Sequence, residues 1–139
     1  MLTIDGLGYT TGPAAYYLKW GLPLHRAAME DDWKTAEAIL QQQPNLATAL
    51  IDIYGTNVLH VAAGANSSAY FIKQLVVNYM TPDDLALQTT MGSTALMYIA
   101  QSGENVEAAK SMIEKNPSLP LIRDFTTDIP VGRAANMGS

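Results

Sequence analysis

The 139-residue chain suits one domain, and with 48% apolar and 15% charged residues it has the composition of a chain that folds. Its net charge of −5, with no Lys/Arg cluster set against it, repels a phosphate backbone and excludes nucleic acid as the expected partner. With no Cys, disulfides, thiol catalysis and Cys-based zinc sites are excluded together.

No basic residue precedes Lys19 and no apolar run reaches the roughly eighteen residues of a membrane span, so the expectation is no signal peptide, no span in this chain and a cytosolic location. Gly6-Leu7-Gly8 is a lone glycine pair without the third glycine of a dinucleotide loop and reads as a flexible start. Residues 11–20, TGPAAYYLKW, place Pro13 at a plausible first helical turn. The segment is expected to form a short helix covering the first of the repeats that follow.

Those repeats begin at Gly21. GLPLHRAAMED, GTNVLHVAAGAN and GSTALMYIAQSG align, and DIPVGRAANMG from Asp128 fits the same frame. Anchored on Leu24, Leu59, Leu96 and Val131, they recur at 35, 37 and 35 residues. Small residues follow at Ala27, Ala62 and Ala134 (Ile99 in the third) and at Ala28, Ala63, Ala100 and Ala135, letting stacked helices approach closely. Seven residues after each anchor stand Asp31, Asn66, Gly103 and Gly138, the residue types that tolerate a left-handed backbone and so end a helix.

A second helix follows each turn. Ala36, Ile39 and Leu40 match Phe71, Leu75 and Val76, then Ala109, Met112 and Ile113, at the spacing of a buried face. Asp32, Ser67 or Ser68, and Asn105 are the candidate N-caps, which also makes a turn of the Asn66-Ser67-Ser68 sequon. Pro44, Pro82 and Pro117 punctuate the chain. Thr81-Pro82-Asp83-Asp84 is expected to add a helical turn that accounts for the longer second repeat. The organisation is an extension over 1–20, repeats over 21–54, 55–91 and 92–127, and a partial repeat over 128–139.

The GxTxLHxAAxxG pattern resembles the ankyrin-repeat superfamily over residues 21 to 138. The segments PLHRAAMEDDWKTAEAILQQQPNLA, MTPDDLALQTTMGSTALMYIAQSG and KNPSLPLIRDFTTDIPV are similar to the plant ankyrin proteins that carry a C-terminal PGG membrane domain, relatives of the accelerated-cell-death proteins. The resemblance implies an all-α solenoid of helix-turn-helix repeats with projecting β-hairpin-type loops, a concave protein-binding surface, no catalysis and no cofactor. Longer members are membrane-anchored and linked to defence and stress signalling. This chain departs from them in stopping at Ser139 with no membrane segment, and Met97 and Gly132 replace the motif histidine. The hydrogen-bonding role of that histidine carries over to His25 and His60 alone. An incomplete fourth repeat should leave Ile113, Leu119 and Ile122 on an apolar surface.

His25 and His60 share one motif position, which favours a structural residue used twice over a metal or acid–base role, since neither a third ligand nor an orienting group is in view. Glu30, Asp31 and Asp32 read as a solvated junction. Neither a GxSxG nor a GxxxxGK[ST] motif is present, so an enzyme using His25 or His60 is a remote alternative. Trp33, Tyr70 and Phe71 are expected in core packing. Tyr54, Met91 and Phe125 fall on the expected loops, and Arg26, Tyr98 and Arg133 stand two residues after the anchor, the position that the resemblance aims at the concave face. Tyr and Arg are the residues that dominate binding hot spots. The expected function is a protein-protein interaction module with a protein partner, in plant signalling or defence, or the cytosolic part of a membrane-anchored signalling protein.

Overall fold

The computed structural model describes residues 3–5, 8–11 and 15–125. From residue 15 onward it is helical, with each repeat a pair of antiparallel helices followed by a 3-10 turn. The first pair is α1 (Leu22–Met29) and α2 (Trp33–Gln42), the second α3 (Val58–Gly64) and α4 (Ala69–Tyr79), the third α5 (Ala95–Ser102) and α6 (Val106–Lys115). The 3-10 turns are Pro44–Ala47, Asp84–Ala86 and Leu119–Leu121. Since every repeat has one, the turn is not what lengthens the second repeat. The connection ahead of the turn is longest in the second repeat, Met80–Asp83, against Gln43 alone in the first and Asn116–Ser118 in the third. Ahead of the helices, β1 (Thr3–Asp5) and β2 (Gly8–Thr11) pair antiparallel, a short ribbon that the helical reading of the sequence did not contain.

Backbone conformation ends the first helix of each pair. Asp31 (φ 58°), Asn66 (φ 57°) and Gly103 (φ 68°) are left-handed at the position that the alignment singles out. The next helix then starts on a side-chain cap: Asp32 accepts from the Thr35 N–H, Ser68 from Phe71 and Asn105 from Ala108. The same turns carry the stack's register. The Ser67 hydroxyl donates to the Ala28 carbonyl, the Asn105 amide donates to the Ser67 carbonyl at 2.7 Å, and Asp31 accepts from the N–H and hydroxyl of Ser68. One set of short polar side chains thus turns the chain and ties each repeat to the next.

Between the layers the core is apolar and continuous. The first helices stack α1 on α3 on α5, with Ala27, Ala28, Ala62, Ala63 and Ile99 buried at the contacts. Small side chains there bring the helix axes together, so volume is what the site cannot absorb. Ala63→Leu is expected to overpack the contact and cost about 1–3 kcal/mol, read as a lower midpoint in urea unfolding. An unchanged midpoint would place Ala63 in slack packing.

The chain enters the stack through an irregular helix. Residues 15 and 16 are helical, Tyr17–Gly21 form a π turn, and α1 follows without a break; the Leu22 N–H donates to the Tyr17 carbonyl. Pro23 supplies the reason: it has no N–H and its ring crowds the carbonyl four residues back, a misfit that a π turn takes up. Tyr16 and Trp20 pack on the core, and the Tyr16 hydroxyl donates to Gln43 Oε1 at 2.8 Å.

The last repeat buries its surface differently from the expectation. Leu119 is fully buried and Ile113 and Ile122 are half-buried against the core, while Leu121 is 74% exposed. In a 3-10 turn residues two apart lie on different sides, and Leu119 takes the inward one. Tyr70 also departs from expectation. It is exposed on α4, whereas its neighbours Phe71 and Ile72 face the core.

Candidate functional site

The first two repeats each end in a loop that folds back on itself, with Ile51 N–H donating to the Thr56 carbonyl in the first and Thr89 N–H to the Ser93 carbonyl in the second. Successive loops are joined along the stack. The Tyr54 carbonyl accepts from Thr90 N–H at 2.9 Å, and the Met91 carbonyl accepts from Phe125 N–H at 3.2 Å. Such close approach needs glycine beside each acceptor. Gly55 and Gly92 have φ of 73° and 83°, and a Cβ on them would lie 3.3 Å from Thr90 N and 2.7 Å from Phe125 N. With these backbone groups engaged with one another, and Thr89, Ser93 and Asp124 turned inward, the large apolar side chains are left facing out.

Tyr54, Met91 and Phe125 are all exposed, and this backbone ladder brings them into one row. Ile53, 85% exposed, belongs to the same row and was not singled out from the sequence, where an isoleucine in a loop gives no sign of facing water. Beside the row run the first helices. Arg26 is exposed on α1, Val61 is half-buried on α3 and Tyr98 is half-buried on α5, with its ring edge-on to His60 at 6.0 Å. Arg133, Gly138 and the partial repeat 128–139 lie outside the described residues.

His60 anchors the loops to the helices. Its Nδ1 accepts the Asn57 N–H at 3.0 Å while Asn57 Oδ1 accepts from the N–H groups of Leu59 and His60, a reciprocal capping box. With Nδ1 accepting, the ring proton is on Nε2, which donates to the Leu87 carbonyl at 3.0 Å. Both nitrogens are engaged, which leaves no free lone pair for a metal or a proton transfer.

His25 does not repeat that role, contrary to the motif reading. Its Nδ1 is buried with no hydrogen-bond partner. The N–H that it would cap is that of Leu22, already given to Tyr17 through the π turn. Where a loop precedes the helix the cap N–H is free; where a helix runs straight in, it is not. Met97 is the reverse case. Its Sδ takes the Thr94 N–H at 3.4 Å and completes a capping box in the third repeat without a histidine. Thr94, an N-cap type three residues upstream, was the sequence signal for it.

Burial holds the His60 imidazole below its usual 6.5, although the carbonyls of Leu87 and Ser93 and the charge of Asp52 favour the cation. Between that lowered value and about 6.5 the unfolded chain binds more protons than the folded one. Stability therefore rises with pH through this window and is lost as pH falls below about 6.5. His60→Gln, which can still accept the Asn57 N–H but does not titrate, is expected to lose less thermal stability than wild type between pH 7.5 and pH 5. Parallel losses would show that His60 does not carry the acid sensitivity.

The charges nearby are settled within the loops. Slight burial opposes the charge on Asp52, but the hydroxyl and N–H of Thr56 and the N–H of Tyr54 outweigh it and hold the carboxyl below its usual value. Among the described residues no three His, Asp or Glu side chains group as metal ligands, and no helix is long and apolar enough to cross a membrane.

Helix pairs stacked through alanine contacts, with joined loops along one edge, define a repeat solenoid that presents an extended surface. The chain belongs to the ankyrin-repeat family: the family model of ankyrin repeats matches three copies over residues 24–124. Among solved structures it is similar to a chain in the crystal structure of the yeast ribosomal protein Rps3 in complex with its chaperone Yar1. That match has 20% identity and a TM-score of 0.69, and covers 87% of this chain and 85% of the other. No curated protein matches the chain.

Proposed function

We propose that this chain is a binding module that holds another protein on its first helices and loop tips and runs no reaction of its own. The observation that carries the reading is the row Ile53, Tyr54, Met91 and Phe125: large apolar side chains held in water by loops whose own backbone bonds are already made. A fold gains nothing from exposing them in a line, whereas a partner surface would bury them. Ankyrin repeats are interaction modules as a family, and the structural neighbour comes from a complex of a ribosomal protein with its chaperone. The engaged nitrogens of His60 count against the remote enzyme reading at that residue.

The finer placement rests on the likeness of residues 21 to 138 to the plant ankyrin proteins with a PGG domain. On it we place the module in the cytosol, in stress or defence signalling, as the soluble part of a membrane-anchored protein. Sequencing the transcript past codon 139 tests this: a multi-span hydrophobic region supports it and a stop codon counts against it. For the binding face, Arg26→Ala and Tyr98→Ala are each expected to weaken partner capture while the helical circular dichroism stays near wild type. Normal capture by both would remove the first helices from the interface.

A further inference from the structure

The first repeat begins differently from the other two. Three residues before His25, His60 and Met97 stand Leu22, Asn57 and Thr94. Asn57 and Thr94 are extended, with ψ of −176° and 165°, and their helices start after them. Leu22 is helical, with φ −66° and ψ −44°, and its N–H is held by the Tyr17 carbonyl through the π turn. Yet the next residue is Pro23, whose ring disfavours a helical conformation in the residue before it and whose own place is the first position of a helix. His25, where His60 and Met97 each close a capping box, keeps a buried Nδ1 without a partner.

We propose that residues 15–21 are a strap with two positions on the first repeat. Docked, they form the helix continuous with α1. Released, Leu22 is extended, α1 starts at Pro23, and the Leu22 N–H goes to His25 Nδ1. This single change ends the incoming helix where proline favours its end, removes the π turn and gives the orphaned nitrogen its donor, as the Asn57 N–H donates to His60 Nδ1 at 3.0 Å. Other contacts hold the strap down. Tyr16 and Trp20 pack on the core, and the Tyr16 hydroxyl donates to Gln43 Oε1. Leu22 also lacks the side-chain oxygen that Asn57 offers to the N–H groups of Leu59 and His60, so release leaves those of Leu24 and His25 to water. The docked position is therefore the major one and the released position a minor state, which bares the core beneath Tyr16 and Trp20. The strap stands apart from the binding-module reading.

The test is amide hydrogen exchange by NMR on the full 139-residue chain, wild type beside His25→Ala and Leu22→Asn. In wild type, Trp20 and Gly21 should exchange through a local opening that leaves the second repeat protected. Leu22, bonded in both positions, should exchange about fivefold or more slowly than these two, once intrinsic rates are divided out. His25→Ala removes the acceptor of the released position and should bring Leu22 to the rate of Trp20 and Gly21. Leu22→Asn supplies the oxygen that Asn57 supplies in the second repeat. It should speed exchange at Trp20 and Gly21 by about fivefold or more while the amides of α3 and α4 keep their rates. Equal rates for Leu22 and Gly21 in wild type, a slower Leu22 that persists in His25→Ala, or rates at Trp20 and Gly21 that Leu22→Asn leaves unchanged would each overturn the strap.

Discussion

Phe71→Ala is expected to cost about 3–5 kcal/mol, a large share of the roughly 5–15 kcal/mol that stabilises a domain of this size. Among the described residues, Phe71 is the largest side chain with no exposure. It sits at the centre of the second layer of helices, where its ring meets the edge of Trp33 at 5.2 Å, and Trp33 in turn leans on Tyr79 at 6.1 Å. Truncation removes the transfer energy of the ring, leaves a cavity between α2 and α4 and loses the aromatic pair between two repeats. Urea unfolding followed by circular dichroism should show the midpoint fall by that amount. A change below about 1 kcal/mol would mean that neighbouring helices collapse into the space and that the second layer is not a close-packed core.

Gly92→Ala should be the most damaging change on the loops, and a comparison with Gly103→Ala shows why. Both glycines have a left-handed backbone, with φ of 83° and 68°, so each alanine meets the strain of that conformation, about 1–2 kcal/mol. At Gly103 a Cβ meets nothing within 4 Å and the cost ends there. At Gly92 it would fall 2.6 Å from the Phe125 ring and 2.7 Å from Phe125 N. The ring can swing away, but the backbone nitrogen can move only by giving up its bond to the Met91 carbonyl. The expected penalty exceeds that of Gly103→Ala by about 1 kcal/mol or more. It should also reduce partner binding, because the loop that carries Phe125 is displaced. Equal melting temperatures for the two variants would refute the close approach of the loops.

Where backbone chemistry restricts the residue type, the sequence is readable. Asp31, Asn66 and Gly103 align because few residues accept a positive φ, and Asp32, Ser68 and Asn105 align because few can cap a helix. Where context decides, it is not. His25 and His60 are the same letter at the same motif position, and only the helix running into α1 deprives His25 of a partner. Met97 shows the converse, one role filled by a different residue. Leu119 and Leu121 are equally apolar, and which one is buried depends on how a 3-10 turn is rotated. The face itself was half legible. Tyr54, Met91 and Phe125 could be placed on loops, but the carbonyl-to-amide ladder that lines them up is made of backbone atoms and leaves no mark in the side chains.

This ankyrin stack is proposed to work by holding a protein on its first helices and loop tips. The measurement that bears on it most directly is quantitative affinity capture with three forms of the chain: wild type, a loop variant with Ile53, Tyr54, Met91 and Phe125 each changed to Ser, and an outer-face variant with Tyr70 and Val77 changed to Ser. All these side chains are exposed, so each form should keep the wild-type melting temperature to within a few degrees. The prediction is a protein retained by wild type and by the outer-face variant and lost from the loop variant. The same proteins bound equally by the loop variant, or lost only from the outer-face variant, would contradict it.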